Sequence, residues 1–212
     1  ESTNEDKVIN DRIANSELSI FSHSRQMWVH DKDVFSDSEW KIHSKNSHWL
    51  LQGFAKYLKQ SQRNVSLFLI DYGPDVIASK KMVNELGISN HVMWLPKMSR
   101  KQLMSILKRC DIGVGEFMQG DGVIWGGTGW EILANGKPLM QSFNFTPESY
   151  FETFGHEAPP ILDIKSAEDV CHTLAKYDKK ELNTIGNKSK QWFDENNGIS
   201  LANKWLDRIK YG

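Results

Sequence analysis

From Leu18 onward, short runs of consecutive apolar residues alternate with longer stretches in which apolar residues recur at helical spacing. The first pattern suits strands buried on both faces and the second suits helices with one buried stripe. Their alternation predicts strand-helix-strand units around a mostly parallel sheet. Strands fall at Leu18 to Ser22, Val65 to Ile70, His91 to Leu95, Ile112 to Gly115, Pro138 to Gln141 and Pro160 to Asp163. Helices fall between them at Ser47 to Gln60, Asp75 to Leu86, Lys101 to Arg109 and Thr128 to Ala134. Ser99, with Gln102 three residues later, makes a capping box for the third of these helices. After Asp163 the apolar runs stop and three helical stretches follow, Ala167 to Tyr177, Lys180 to Asn196 and Ser200 to Lys210. Gly186 and the turn at Asn196-Asn197-Gly198 divide or end them.

The expected fold class is therefore α/β: a doubly wound, mostly parallel six-stranded sheet with helices on both faces, Rossmann-like, with a helical C-terminal tail. Residues 1–17 read as a linker or interdomain segment and residues 18–212 as one domain. Between the first strand and first helix lies a long insertion, Trp28 to His43, rich in Asp, His and Trp. Loops of that length tend to be functional or mobile.

Charge narrows the partners. The 212 residues carry 26 Lys+Arg against 27 Asp+Glu, a formal net charge of −1, which implies neither nucleic acid nor an anionic membrane as the main partner. Hydrophobic residues make up 39%, a globular value that excludes wholesale disorder. No apolar run approaches the roughly 20 residues of a membrane helix, so no transmembrane segment is expected. Cys110 and Cys171 are too few for a disulfide framework and point to a reducing compartment, the cytoplasm. The chain opens at Glu1 with neither a basic nor an apolar leader region, and reads as a processed or excised piece of a longer protein. The seven histidines show no ligand spacing, so no metal site is expected. His23 and Ser24 adjoin in a strand and point to opposite faces, which argues against a nucleophilic triad.

The stretch Gly113 to Glu131 holds seven of the fifteen glycines. Glycines crowd where a backbone needs positive φ or where a ligand approaches the main chain. This run follows a strand and ends at a helix start, where unpaired amides favour an anion, and in a doubly wound sheet it lies at the ligand-binding end of the strands. A phosphate-bearing ligand follows; a flexible glycine-rich turn without a ligand is the alternative. Neither the P-loop nor the dinucleotide fingerprint matches: Gly136-Lys137 is followed by Pro138, and Gly120-Asp121-Gly122 has Trp125 where a third glycine belongs. Thr128 and Glu131 stand three apart, so Glu131 either closes a capping box or offers its carboxylate to ribose hydroxyls. Trp125 and Trp130 flank the loop, either as core or as stacking surfaces for a sugar.

Several segments, in order, carry a resemblance. They are Ser22-His-Ser-Arg25; Lys45-Asn46 followed by Leu50-Leu-Gln-Gly-Phe-Ala55; Phe68-Leu-Ile-Asp-Tyr-Gly-Pro-Asp75; Glu85-Leu-Gly-Ile88; Val92-Met-Trp-Leu95; Cys110-Asp-Ile-Gly-Val114; and Gly126-Gly-Thr-Gly-Trp-Glu-Ile-Leu-Ala-Asn-Gly-Lys-Pro138. Over about Leu18 to Lys210 the chain resembles the carboxyl-terminal, donor-binding half of group 1 glycosyltransferases, retaining enzymes of the Rossmann-pair (GT-B) fold. The resemblance implies a nucleoside diphosphate sugar as substrate, a carbohydrate-biosynthetic role, and no metal or other cofactor. It implies an amino-terminal acceptor-binding domain of the same protein, absent from this chain, so that the chain alone would bind nucleotide and transfer little. By position, Arg25 and Lys45 would neutralise the diphosphate, the amides of Gly127, Thr128 and Gly129 would assist, and Glu131 would hold the ribose. The loop Leu95 to Lys97 would lie by the base, with Asp121 and Trp125 as possible sugar contacts.

Two departures stand out. The family pattern places a carboxylate eight residues before Glu131, where this chain has Val123; Asp121 or Glu116 would replace it only through a remodelled loop. The twenty-residue gap from Arg25 to Lys45 is longer than usual and leaves Lys32 and Lys41 as rival cations. A lost carboxylate also fits a different class, a catalytically degenerate Rossmann-like binding module for a glycan or protein partner. A nucleotide-sugar epimerase would share the pocket, but no clear acid/base pair supports it.

Overall fold

The strand runs form as their composition dictates. Leu18–Ser22 (β1) and Val65–Ile70 (β2) are buried at every position, so both faces of each are covered. Val92–Leu95 (β3), Ile112–Val114 (β4), Leu139–Gln141 (β5) and Ile161–Asp163 (β6) complete one six-stranded sheet, every pairing parallel, in the order β3-β2-β1-β4-β5-β6. This is a computed structural model, and it describes residues 4–120 and 125–211.

Alternation along the strands feeds two apolar layers. Leu18, Ile20, Leu67, Leu69, Ile112 and Val114 point to one face, where they meet helices Ser47–Gln60 (α3), Val76–Glu85 (α4) and Ala167–Lys176 (α8). Phe21, Phe68, Ile70 and Leu139 point to the other, against Asn4–Ala14 (α1), Arg100–Arg109 (α5), Gly126–Ala134 (α6) and Lys179–Asn196 (α9). The opening segment, expected as a linker, thus carries a helix whose Ile9 is buried in the second layer. On the first face α3 and α8 touch backbone to backbone: a Cβ at Gly53 would lie 2.3 Å from the Ala167 carbonyl oxygen.

Two further helices were not expected. Asp37–His43 (α2) buries no residue and stands on its own capping box, the Ser36 hydroxyl accepting from the Glu39 amide while the Glu39 carboxylate accepts from the Ser36 amide. Pro147–Phe154 (α7) has proline in its first turn and Thr146 as its cap. Gly186 neither divides nor ends a helix. It lies inside α9, where a Cβ would come 2.3 Å from the Gly136 carbonyl oxygen, so its absence lets α9 settle against the turn after α6. The last helix, Gly198–Tyr211 (α10), leaves Ile199, Trp205 and Ile209 exposed. No helix among the described residues is long and apolar enough to cross a membrane, and both cysteines are free and buried.

Candidate functional site

Strand order reverses between β1 and β4, the place where a doubly wound sheet opens a crevice beyond the carboxyl ends of its strands. The chain leaves β1 through His23, Ser24 and Arg25, and leaves β4 through Gly115, Glu116 and Phe117. The post-β1 segment is pinned from the neighbouring loop: the Gln26 amide donates to the Tyr72 carbonyl at 2.8 Å. Gly73, at φ +123°, presses so closely that a Cβ would sit 2.3 Å from the Gln26 oxygen. Only glycine supplies both that angle and that approach.

The long insertion is an excursion with joined ends. The Lys45 amide donates to the Met27 carbonyl at 2.8 Å, and the Phe117 amide donates to the Lys45 carbonyl at 3.1 Å. Asn46, in the left-handed region at φ 45°, donates from its side-chain amide to the Phe117 carbonyl at 2.7 Å. Asp75, at the head of α4, does not cap that helix with its side chain; it accepts instead from the amides of Trp28 and Val29 at 2.5 and 2.8 Å. Lys32 and Lys41 stay exposed on the excursion, while Lys45 is returned to the crevice.

The Thr128–Glu131 capping box does not form. The helix starts two residues earlier, with Trp125 in the cap position and no side-chain cap bond, because Gly126 takes φ +56° and turns the chain in at that point. This shifts the free amides. Gly129 donates to the Trp125 carbonyl at 2.9 Å and is spent on the helix, which leaves the amides of Gly126, Gly127 and Thr128 at its open end.

Glu131 then lies in the second turn and faces β1. Its Oε2 sits 2.6 Å from His23 Nε2 and its Oε1 2.8 Å from Arg100 Nε. A carboxylate only accepts, so Nε2 carries the proton of that bond. Burial pulls the His23 imidazole below its ordinary pKa, opposed by the hydrogen bond and charge of Glu131. Across the crevice Lys45 Nζ bonds Glu116 Oε2 at 2.5 Å, both side chains being largely buried. Glu116 also borders the open end of α6, since a Cβ on Gly126 would lie 3.6 Å from its Oε2.

The remaining candidates fall apart from this centre. Arg25 is exposed and meets no carboxylate among the described residues. Leu95 is buried in the core, 1% exposed, and its carbonyl accepts from the Asp71 amide at 2.7 Å. Lys97 lies over the Tyr72 ring, 4.6 Å from its centre. Trp125 is 2% exposed and stacked on Phe143, so its ring belongs to the core and not to a sugar-binding surface. Asp121 and Val123 lie outside the described residues. A cavity of about 560 Å³ opens on the other side of α6, walled by Trp125, Trp130, Tyr150, Phe154, Trp192 and Trp205, and its lining contains no lysine or arginine to hold a diphosphate. His23 and Arg100 were missed by the motif reading. Only the position of His23 directly after the first strand hinted at it.

Known proteins agree with this architecture. The model of the family described as "Glycosyl transferases group 1" matches residues 38–142. No curated protein matches the chain. Among solved structures, Anabaena Alr3699/HepE, in complex with UDP and glucose, is similar with a TM-score of 0.62 at 15% identity, covering 98% of this chain and 52% of that one. WaaG, a glycosyltransferase involved in lipopolysaccharide biosynthesis, is similar with a TM-score of 0.62 at 13% identity, covering 100% and 52%. The chain thus spans about half the length of both. It covers 91% of the C-terminal domain of the glycosyl transferase group 1 family protein LpcC from Francisella tularensis, and is itself covered to 90%, at 14% identity and a TM-score of 0.59. The group 1 glycosyl transferase model thus matches residues 38–142 of this chain, and the chain has the Rossmann-like fold seen in the C-terminal domain of LpcC.

Proposed function

We propose that this chain is the donor-binding half of a glycosyltransferase that moves a sugar from a nucleoside diphosphate sugar to an acceptor held by a second, amino-terminal domain, with retention at the anomeric carbon and without a metal. One observation carries the reading: the open end of α6, the ammonium of Lys45 and the carboxylate of Glu131 converge where strand order reverses. The diphosphate would lie at the helix end, taking the amides of Gly126, Gly127 and Thr128 and the charge of Lys45, with Arg25 reaching in from its exposed position. When the bond from sugar to phosphate breaks, negative charge grows on the departing diphosphate, and fixed cations and amides stabilise it without reorganising. Glu131 would accept the ribose hydroxyls, and the base would rest by the Leu95 to Lys97 loop, beside Tyr72. The UDP bound to HepE makes UDP the first nucleotide to try. The two buried thiols fit a reducing compartment such as the cytoplasm.

Calorimetric titration of the chain with UDP, GDP and ADP, with and without a chelator, tests the reading. The expected result is chelator-insensitive binding of one nucleotide, weakened at least about tenfold in Glu131→Ala. Sugar transfer by this chain alone at ordinary enzymatic rates would overturn the division into two halves. Val123, standing where the family pattern has a carboxylate, favours one rival, a degenerate binding module. Glycan or protein binding indifferent to Glu131→Ala would establish that module instead.

A further inference from the structure

We infer that His23 is a positioning residue that holds Glu131 to receive a vicinal diol, and that Arg100 is the exchangeable placeholder the diol displaces. The inference rests on the donor-site reading above and deepens it.

The two oxygens of Glu131 are held on unequal terms. Oε2 meets His23, whose side chain is 4% exposed and whose ring stacks on Phe21 with 5.4 Å between centres. Neither the ring nor its N–H has room to leave. Oε1 meets Arg100, whose side chain is 76% exposed at the start of α5, so this bond trades readily with water. A glutamate at a binding site has three torsions to fix, and freezing them on binding weakens the ligand. Here His23 has fixed them in advance. An ionised carboxylate offers about four lone-pair positions. With one taken permanently by His23, the others suffice for two adjacent hydroxyls once Arg100 withdraws.

The second nitrogen of His23 supports the assignment. Nδ1 is buried and has no hydrogen-bond partner among the described residues. An orphaned buried acceptor is unfavourable, and a phenylalanine of nearly the same shape would avoid it. What imidazole contributes at this position is therefore the Nε2–H bond to Glu131. Phe21 from β1, Glu131 from α6 and Arg100 from α5 are the groups that meet the ring or its partner.

The test titrates the full chain and its variants with UDP and, separately, with inorganic pyrophosphate, which has no diol. His23→Phe keeps the packing and removes the donor. It is expected to weaken UDP by about tenfold and leave pyrophosphate within about twofold. His23→Gln, whose amide can donate from a similar place, is expected to bind UDP within about threefold of the parent chain, and Arg100→Ala to bind it equally or more tightly. Added to Glu131→Ala, His23→Phe is expected to cost nothing further, because both changes remove the same bond. Should His23→Phe fail to melt cooperatively, His23→Asn, too short to reach Glu131, replaces it in the comparison with His23→Gln. Unchanged UDP affinity in His23→Phe, equal losses of UDP and pyrophosphate, or additive losses with Glu131→Ala would each overturn the inference. If the parent chain binds no UDP, or Glu131→Ala binds it normally, the donor-site reading itself fails and takes this inference with it.

Discussion

The two sides of α6 satisfy their residues in opposite ways. Toward β1, Glu131 is matched by His23 and Arg100, and beyond it Lys45 by Glu116, and of these partners Arg100 and Glu116 are ones that a ligand's polar groups can replace bond for bond. Toward α9, Trp125 and Trp130 are met by Trp192 at 5.9 and 6.1 Å between ring centres, and are satisfied by ring packing, with Trp125 buried and Trp130 at the rim. No small polar ligand reproduces that packing. The difference assigns recognition to one side of the helix and stability to the other, although the side richer in tryptophan looks more like a sugar site in sequence.

The largest expected effect would break the comparison at the aromatic side. Trp192→Ala removes a ring that is 8% exposed and that donates to the Glu157 carbonyl at 2.7 Å. It is expected to cost about 3–5 kcal/mol of stability in chemical denaturation and to leave UDP affinity unchanged in the folded protein. Stability intact with affinity lost would turn that cavity into a ligand site.

Next comes Lys45→Met, which should lower UDP affinity by about tenfold to a hundredfold, the loss of one charge-assisted bond worth about 1.5–3 kcal/mol. It also strands Glu116 with no cation. The pair Lys45→Met with Glu116→Gln should therefore recover stability without recovering affinity. Glu116→Gln alone sharpens the point. Its carboxylate competes for the same ammonium, so its removal should tighten UDP by about twofold to fivefold in the same titration. A loss would instead mean that Glu116 touches the ligand.

The smallest effect is in pH. Burial lowers the pKa of His23, and likewise of His48, below the ordinary value of about 6.5 that both regain on unfolding. Between the folded and unfolded values the unfolded chain binds the extra protons, so stability rises with pH through that window and falls as pH drops below about 6.5. Melting temperatures followed downward from pH 7 should show this loss, and His23→Gln should flatten it. A slope unaltered in that variant would place the titration elsewhere.

Much of this was legible in the chain, for physical reasons that differ by element. The buried strands announce themselves by continuous apolar runs, and α5 by the Ser99 box that the structure contains. The Ser36-x-x-Glu39 signal of α2 and the Thr146-Pro147 start of α7 were equally present, but without the apolar periodicity that draws attention to a helix. α1 offers the core Ile9, with Ile13 packed beside it, too little for a pattern. At the site, Glu131 was visible from its motif, yet its partner His23 is 108 positions away and no local spacing encodes that meeting. The capping box at Thr128 failed because the start of α6 depends on the backbone angle of Gly126, which residue identity permits but does not impose. The choice of Lys45 over Lys32 and Lys41 required the knowledge that Met27 and Lys45 adjoin.

That junction has an evolutionary consequence. Because the excursion is anchored at its root, by the bond of 2.8 Å between Met27 and Lys45 and by Asp75 on the amides of Trp28 and Val29, residues 30–43 can lengthen, shrink or be exchanged without moving either end. Doubling a loop adds only about 0.6 kcal/mol of closure cost, so insertions and deletions there are nearly neutral for folding. The excursion is a graft point: a lineage, or an engineer, can rewrite the rim of the crevice and what it meets while the floor keeps its shape.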